Sequence, residues 1–133
     1  MAEPRYTLDH TIIEVHDLDA SRAFYERVLA ALGMGVAMDF AEERGIIGFG
    51  VAGRPQFWIS GRGDAPSGPV HIAFHAADRD RVHRFHEAAL AAGGEDNGPP
   101  GLREHYHPTY YGAFVFDPDG NNIEAVCHAP PEG

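Results

Sequence analysis

The sequence contains no lysine. All ten of its basic residues are arginine, set against 20 Asp plus Glu, for a formal charge of −10 over 133 residues. So strong an acidic excess argues against nucleic acid or an anionic membrane as the main partner and favours solubility. Cysteine is nearly absent as well. A single Cys127 cannot form an intrachain disulfide, so nothing points to a secreted, cross-linked scaffold. Long apolar runs are missing. The longest uncharged stretch with hydrophobic character, residues 28–38, holds two glycines, short of the roughly 20 apolar residues of a membrane span. Residues 1–5 lack the apolar centre of a signal peptide. Together these lacks lead to the expectation of a soluble, cytoplasmic protein.

What is present is ordinary globular material with one excess. Apolar residues make up 44% and aromatics 11%, which excludes wholesale disorder, and the length suits one domain or two small halves around one core. The excess is nine histidines.

Two of them expose an internal repeat. His10 and His71 lie 61 positions apart, and the same shift pairs Asp17 with Asp78, Asp19 with Asp80, Phe24 with Phe85 and Glu26 with Glu87. It goes on to pair Leu29 with Leu90, Ala30 with Ala91, Ala31 with Ala92 and Gly33 with Gly94. An ungapped match over a whole strand-plus-helix unit reads as a duplicated module. Module one covers about 7–61, a Gly/Pro/Ser-rich linker 61–69, and module two about 70–128.

Each module opens on a strand, at 8–15 and 70–76, rich in β-formers. Each then reaches an Asp pair able to cap a helix, predicted over 20–32 and 79–92. Gly33 and Gly93-Gly94 are natural helix stops. Further strands are expected at 45–51 and 56–60, and at 110–116 and 121–127, the last two joined by the turn Asp117-Pro118-Asp119-Gly120. Residues 93–101 read as a breaker.

Strand alternation sorts the polar residues onto faces. His10, Ile12 and Glu14 share one face of the first strand, and His71, Ala73 and His75 share one face of the fifth. Glu124 lies on one face of the last strand with Asn122 and Val126, and Gln56 lies with Trp58 and Ser60. A lone strand histidine is usually a half-buried, hydrogen-bonded residue. Two repeat-related ones meet if the modules pack about a pseudo-twofold axis, which gives a candidate metal centre of His10, His71 and Glu124 with Gln56 as fourth donor. Two imidazoles and a carboxylate suit divalent zinc, nickel, manganese or iron.

Residues 103–111, Arg-Glu-His-Tyr-His-Pro-Thr-Tyr-Tyr, form a candidate pocket wall with donors His105, His107, Tyr110 and Tyr111. The plainer reading is a packed loop with aromatic anchors. His75 is either second to His71 or core packing, and Trp58 is core or pocket lining. His83 and His86 read as solvated helix residues, and His16 and His128 carry no sharp role.

Several stretches carry a family resemblance: Leu-Asp-His-Thr-Ile-Ile-Glu-Val at 8–15, Ser-Arg-Ala-Phe-Tyr-Glu at 21–26, Val-His-Ile-Ala-Phe at 70–74 and Phe-Asp-Pro-Asp-Gly-Asn-Asn-Ile-Glu at 116–124. Over about 7–128 the chain closely resembles the vicinal oxygen chelate superfamily, which includes glyoxalase I, fosfomycin-resistance thiol transferases, extradiol dioxygenases and bleomycin-binding proteins. The resemblance implies an α+β fold of two tandem βαβββ modules, with sheets curled around a metal-binding cleft and helices packed outside. It implies one divalent metal ion on His10, His71 and Glu124, with the fourth ligand of glyoxalase I falling at Gln56. It also implies a homodimer with sites at the module interface and a small-molecule substrate chelating the metal through two neighbouring oxygens.

The leading expectation is a glyoxalase-like lyase or isomerase acting on a small oxo or hydroxy compound, free or as a thiol adduct. Glu124 would then be both ligand and candidate base. The alternatives are an extradiol-type iron dioxygenase, whose metal set is the same triad, and a metal-free bleomycin-type binding protein, which has no need of three ligand-type residues. A phosphonate-directed transferase lacks clustered basic residues.

Overall fold

The computed structural model describes residues 7–63 and 65–131; residues 1–5, read above for the missing signal-peptide centre, lie outside that range. In chain order the elements are β1 (Thr11–Glu14), α1 (Leu18–Ala30), β2 (Gly35–Phe40), α2 (Ala41–Arg44), β3 (Ile46–Val51), β4 (Arg54–Ser60), β5 (His71–His75), α3 (Arg79–Ala91), β6 (Glu95–Leu102), β7 (Tyr111–Phe116) and β8 (Asn122–Cys127). Repeat mates Asp17 and Asp78 cap the long helices. The Asp17 carboxylate accepts from the Ala20 N–H at 3.1 Å and that of Asp78 from the Arg81 N–H at 2.9 Å. Because Asp17 caps, α1 starts two residues before the expected range. Ser21, Phe24, Tyr25, Val28 and Leu29 are buried, whereas Ala20 is exposed. α3 buries Val82, Phe85, His86 and Ala89. His86, read as solvated, instead faces inward and meets Asp96 at 2.9 Å, which satisfies its ring nitrogen.

The strands form two four-stranded sheets, β1-β4-β3-β2 and β5-β8-β7-β6, with β1·β4 and β5·β8 parallel and the other pairs antiparallel. Both modules are therefore βαβββ, and neither sheet closes into a barrel. β2 and β6 have no counterpart in the strands expected from sequence. Residues 93–101, expected to break structure, carry most of β6. Its two prolines are tolerated because β6 is an edge strand bonded only to β7, and its register slips twice around Gly98, at φ +151°. In β2 the register shifts between Val36 and Met38, and both side chains are exposed, so the strand buries no regular two-residue face.

Helix-facing side chains of both sheets, including Ile13, Ile47, Phe57, Ile59, Phe74, Val115 and Ile123, join the helices in one core. Each such large side chain contributes roughly 1.5–3 kcal/mol on burial. Phe57 and Phe74 meet edge to face across the modules at 5.3 Å. A second cross-module tie is polar. Tyr25 Oη donates to Asp117 Oδ2 at 2.5 Å, and Asp117 also accepts from the Asp119 and Asn121 N–H groups and from Asn121 Nδ2, each at 2.9 Å. The turn closes with Gly120 at φ +82°, donating to the Asp117 carbonyl at 3.0 Å.

The linker is strapped to module one. Glu14 Oε2 accepts from Ser60 Oγ and from the Gly63 N–H, both at 2.9 Å. Its backbone N–H donates to Ser67 Oγ at 2.7 Å, and its carbonyl accepts from the Ser67 N–H at 3.0 Å. No helix among the described residues is long and apolar enough to cross a membrane.

Candidate functional site

On the helix-free face of the second sheet, His71 and Glu124 stand on neighbouring strands, where Ala73 pairs with Glu124. His71 Nε2 is 2.8 Å from Glu124 Oε1; the histidine side chain is 53% exposed and the carboxylate 2%. Tyr110, just before β7, donates its hydroxyl to Glu124 Oε2. A carboxylate only accepts, so these contacts assign the proton to His71 Nε2 and give both oxygens of a buried charge a partner. Burial, then the Glu124 bond and charge, push the Tyr110 phenol well above its ordinary value, so it stays a donor.

His10 occupies the repeat-equivalent place on module one. Its Nδ1 meets Asp9 Oδ1 at 2.7 Å, which leaves Nε2 free in the posture of a carboxylate-oriented metal ligand. Yet no group of three or more His, Cys, Asp or Glu is close enough to hold a metal ion among the described residues. A single chain thus brings His71 and Glu124 together and leaves His10 apart.

The strand register sets the repeat equivalences. Ile12 pairs with Trp58, and its repeat mate Ala73 pairs with Glu124. Trp58 is therefore the module-one counterpart of Glu124, and Gln56 is level with Asn122. A sequence offset alone misses this, because the modules' loops differ in length. Gln56 also lines a cavity of about 410 Å³ between the modules, together with Met34, Phe57, Phe74 and His75.

The 103–111 segment divides. His105, Tyr106 and Tyr110 form a run of rings, with centroids at 4.1 and 4.8 Å, leading to Glu124. Tyr111 turns the other way, toward α3, where its hydroxyl meets His83 Nε2 at 2.6 Å and the Arg79 guanidinium lies 4.6 Å over its ring. His107 pins the loop. It accepts the Thr109 N–H on Nδ1 at 3.2 Å, which assigns its proton to Nε2, 2.5 Å from His128 Nδ1. Thr109 Oγ1 also donates to the His128 carbonyl at 2.6 Å. His128 stands near-parallel to His75, with centroids at 6.3 Å. Burial, then the His107 and His75 charges, lower the His128 pKa. His128 was passed over in the sequence because it lies beyond the strand end, where no periodicity marks it.

A model of the Glyoxalase/Bleomycin resistance protein/Dioxygenase superfamily matches residues 7–125. Among solved structures, a glyoxalase/bleomycin resistance protein from Albidiferax ferrireducens T118 is 29% identical, with TM-score 0.74, covering 92% of this chain and 98% of that one. Lactoylglutathione lyase from Agrobacterium tumefaciens is 21% identical, with TM-score 0.66 and coverage of 94% and 96%, and shares the fold. An E144Q mutant of glyoxalase I from Zea mays is 23% identical, with TM-score 0.65, covering 90% of this chain and 46% of that one. No curated protein matches the chain.

Proposed function

The chain belongs to the Glyoxalase/Bleomycin resistance protein/Dioxygenase superfamily, and on that premise we propose that it is a metal-dependent, glyoxalase-like lyase or isomerase. The observation that carries this reading is the His71–Glu124 pair, with both carboxylate oxygens held and one imidazole edge half-exposed. His10, with Nε2 free, is the third donor. It reaches the pair when two chains associate so that module one of one chain faces module two of its partner. Gln56 offers a neutral oxygen on the same face as a fourth.

A divalent ion held there supplies charge for two neighbouring substrate oxygens. The side chains do the rest. Glu124 is the candidate base for a proton beside a carbonyl, and Tyr110 orients it. The rings of His105 and Tyr106 flank the approach. The substrate is a small oxo or hydroxy compound, free or as a thiol adduct.

One observation favours a second reading. With Trp58 at the place matching Glu124, two histidines and a single carboxylate are the strong donors, a set that also suits an iron dioxygenase.

Metal content by elemental mass spectrometry, on protein purified without chelator, tests both. Zinc, nickel or manganese near one per chain, lost in His71→Ala, is the expected result. Iron together with oxygen uptake on catechol would move the assignment to the second reading. Metal-free protein after attempted reconstitution would overturn both and leave a binding protein.

A further inference from the structure

We propose that Trp58 is a specificity-determining residue, the floor on which a flat, conjugated substrate bearing two neighbouring oxygens lies. The inference rests on the metal-centre reading above and adds the substrate's shape. Trp58 is the repeat mate of Glu124 by strand register. Any assembly that brings His10 to His71 and Glu124 about the repeat's twofold axis carries Trp58 to the opposite side of the same centre. An indole has one N–H donor and no lone pair for a metal. Trp58 therefore borders an open position rather than filling one.

Its posture fits a platform. A Cβ built on Gly48 would fall 2.9 Å from Trp58 Cε2 and 3.0 Å from Cδ2, the two ring-fusion carbons. The indole therefore lies face-down on the β3 backbone, in a place only glycine allows. The Phe40 ring runs within 9° of parallel, with centroids 6.2 Å apart, and the Arg44 guanidinium sits 5.7 Å from the Phe40 centroid. Trp58 is outside the core cluster and half-buried, on the helix-free face. A large flat ring laid on a sheet and left partly open selects planar π-systems by offset stacking. A saturated hydroxy acid gains little from it.

Trp58 is the single tryptophan, so its emission reports this floor directly. Zinc-loaded full-length protein is titrated with 4-nitrocatechol as the planar probe and with cis-cyclohexane-1,2-diol as the saturated one, following absorption-corrected emission. In parallel, probe affinity is measured from the visible spectrum. The expected result is strong quenching by the planar probe only. Trp58→Leu should weaken that probe by up to about tenfold, Trp58→Phe should retain most of the affinity, and zinc content should stay unchanged in both. Gly48→Ala, whose methyl would press on the indole and on Pro55 Cβ, should weaken binding too. Equal probe affinity in wild type and Trp58→Leu, with zinc present in both, would overturn the floor and leave the metal reading standing. Failure of the wild type to hold zinc would overturn the metal reading, and the floor with it.

Discussion

Glu124 shows how one side chain can serve packing and chemistry at once. Its carboxylate is almost wholly buried, yet both oxygens are bonded, one to His71 and one to Tyr110. Removing either partner leaves a buried acceptor short of a donor, which costs about 1–3 kcal/mol and more for a charged group. Tyr110→Phe is therefore expected to lower thermal stability. It should also weaken metal binding by about 10- to 100-fold, the usual cost of losing a residue that orients a ligand. Competition with a chelating dye measures the second effect. Unchanged affinity would show that Tyr110 packs against the site without orienting Glu124. His71 and Glu124 could be singled out from the repeat and the strand alternation, because both are properties of spacing. The Tyr110 bond could not, since it depends on how an irregular loop folds back over a strand 14 residues away.

Among the described elements, the two long helices and six of the eight strands were legible, and of the strands only β2 and β6 were not. Asp caps, glycine stops and apolar stripes act within a few residues, so α1 and α3 could be placed nearly as observed. β6 could not, since Pro99, Pro100 and Gly98 read as a break and only the edge position makes them compatible with a strand. The 103–110 loop is similar in kind. It is pinned to the end of β8 through His107, His128 and Thr109, and that pin has a sign. The folded His128 sits below its ordinary value of 6.5, chiefly from burial and then from facing His107 and His75, with Glu124 acting weakly the other way. A histidine that resists protonation when folded stabilises the fold fully above its unfolded pKa. That stability is lost as pH falls below about 6.5. Thermal melts from about pH 8 to pH 5 should fall on the acid side, and His128→Asn should flatten that part of the curve. An unchanged slope in the variant would place the acid sensitivity elsewhere.

At the scale of the whole molecule, the question is where His10 finds His71 and Glu124. Each helix-free face in one chain presents half of the proposed ligand set, and the two long helices pack together on the other side. If sites are shared between chains, His10→Ala and Glu124→Ala proteins each lose metal. Unfolded and refolded together, they should regain part of it, because a mixed pair contains one intact site. Recovery measured against each variant refolded alone decides the matter. Absence of any recovery, with mixed dimers present by native mass spectrometry, would place the whole site within one chain.

The strap over Glu14 has a consequence for how the chain may be divided. Ser60, Gly63 and Ser67 all tie to Glu14, so the tether belongs mechanically to module one, and only Gly68, Pro69 and Val70 separate it from β5. A break after Ser67 would sever none of those bonds. The fragments 1–67 and 68–133 would part between the two βαβββ modules, with Tyr25–Asp117 and Phe57–Phe74 among the contacts by which they recognise each other. Co-expressed, they should reassemble as a split protein. A break inside 61–66 would instead loosen the strap and with it the end of β1.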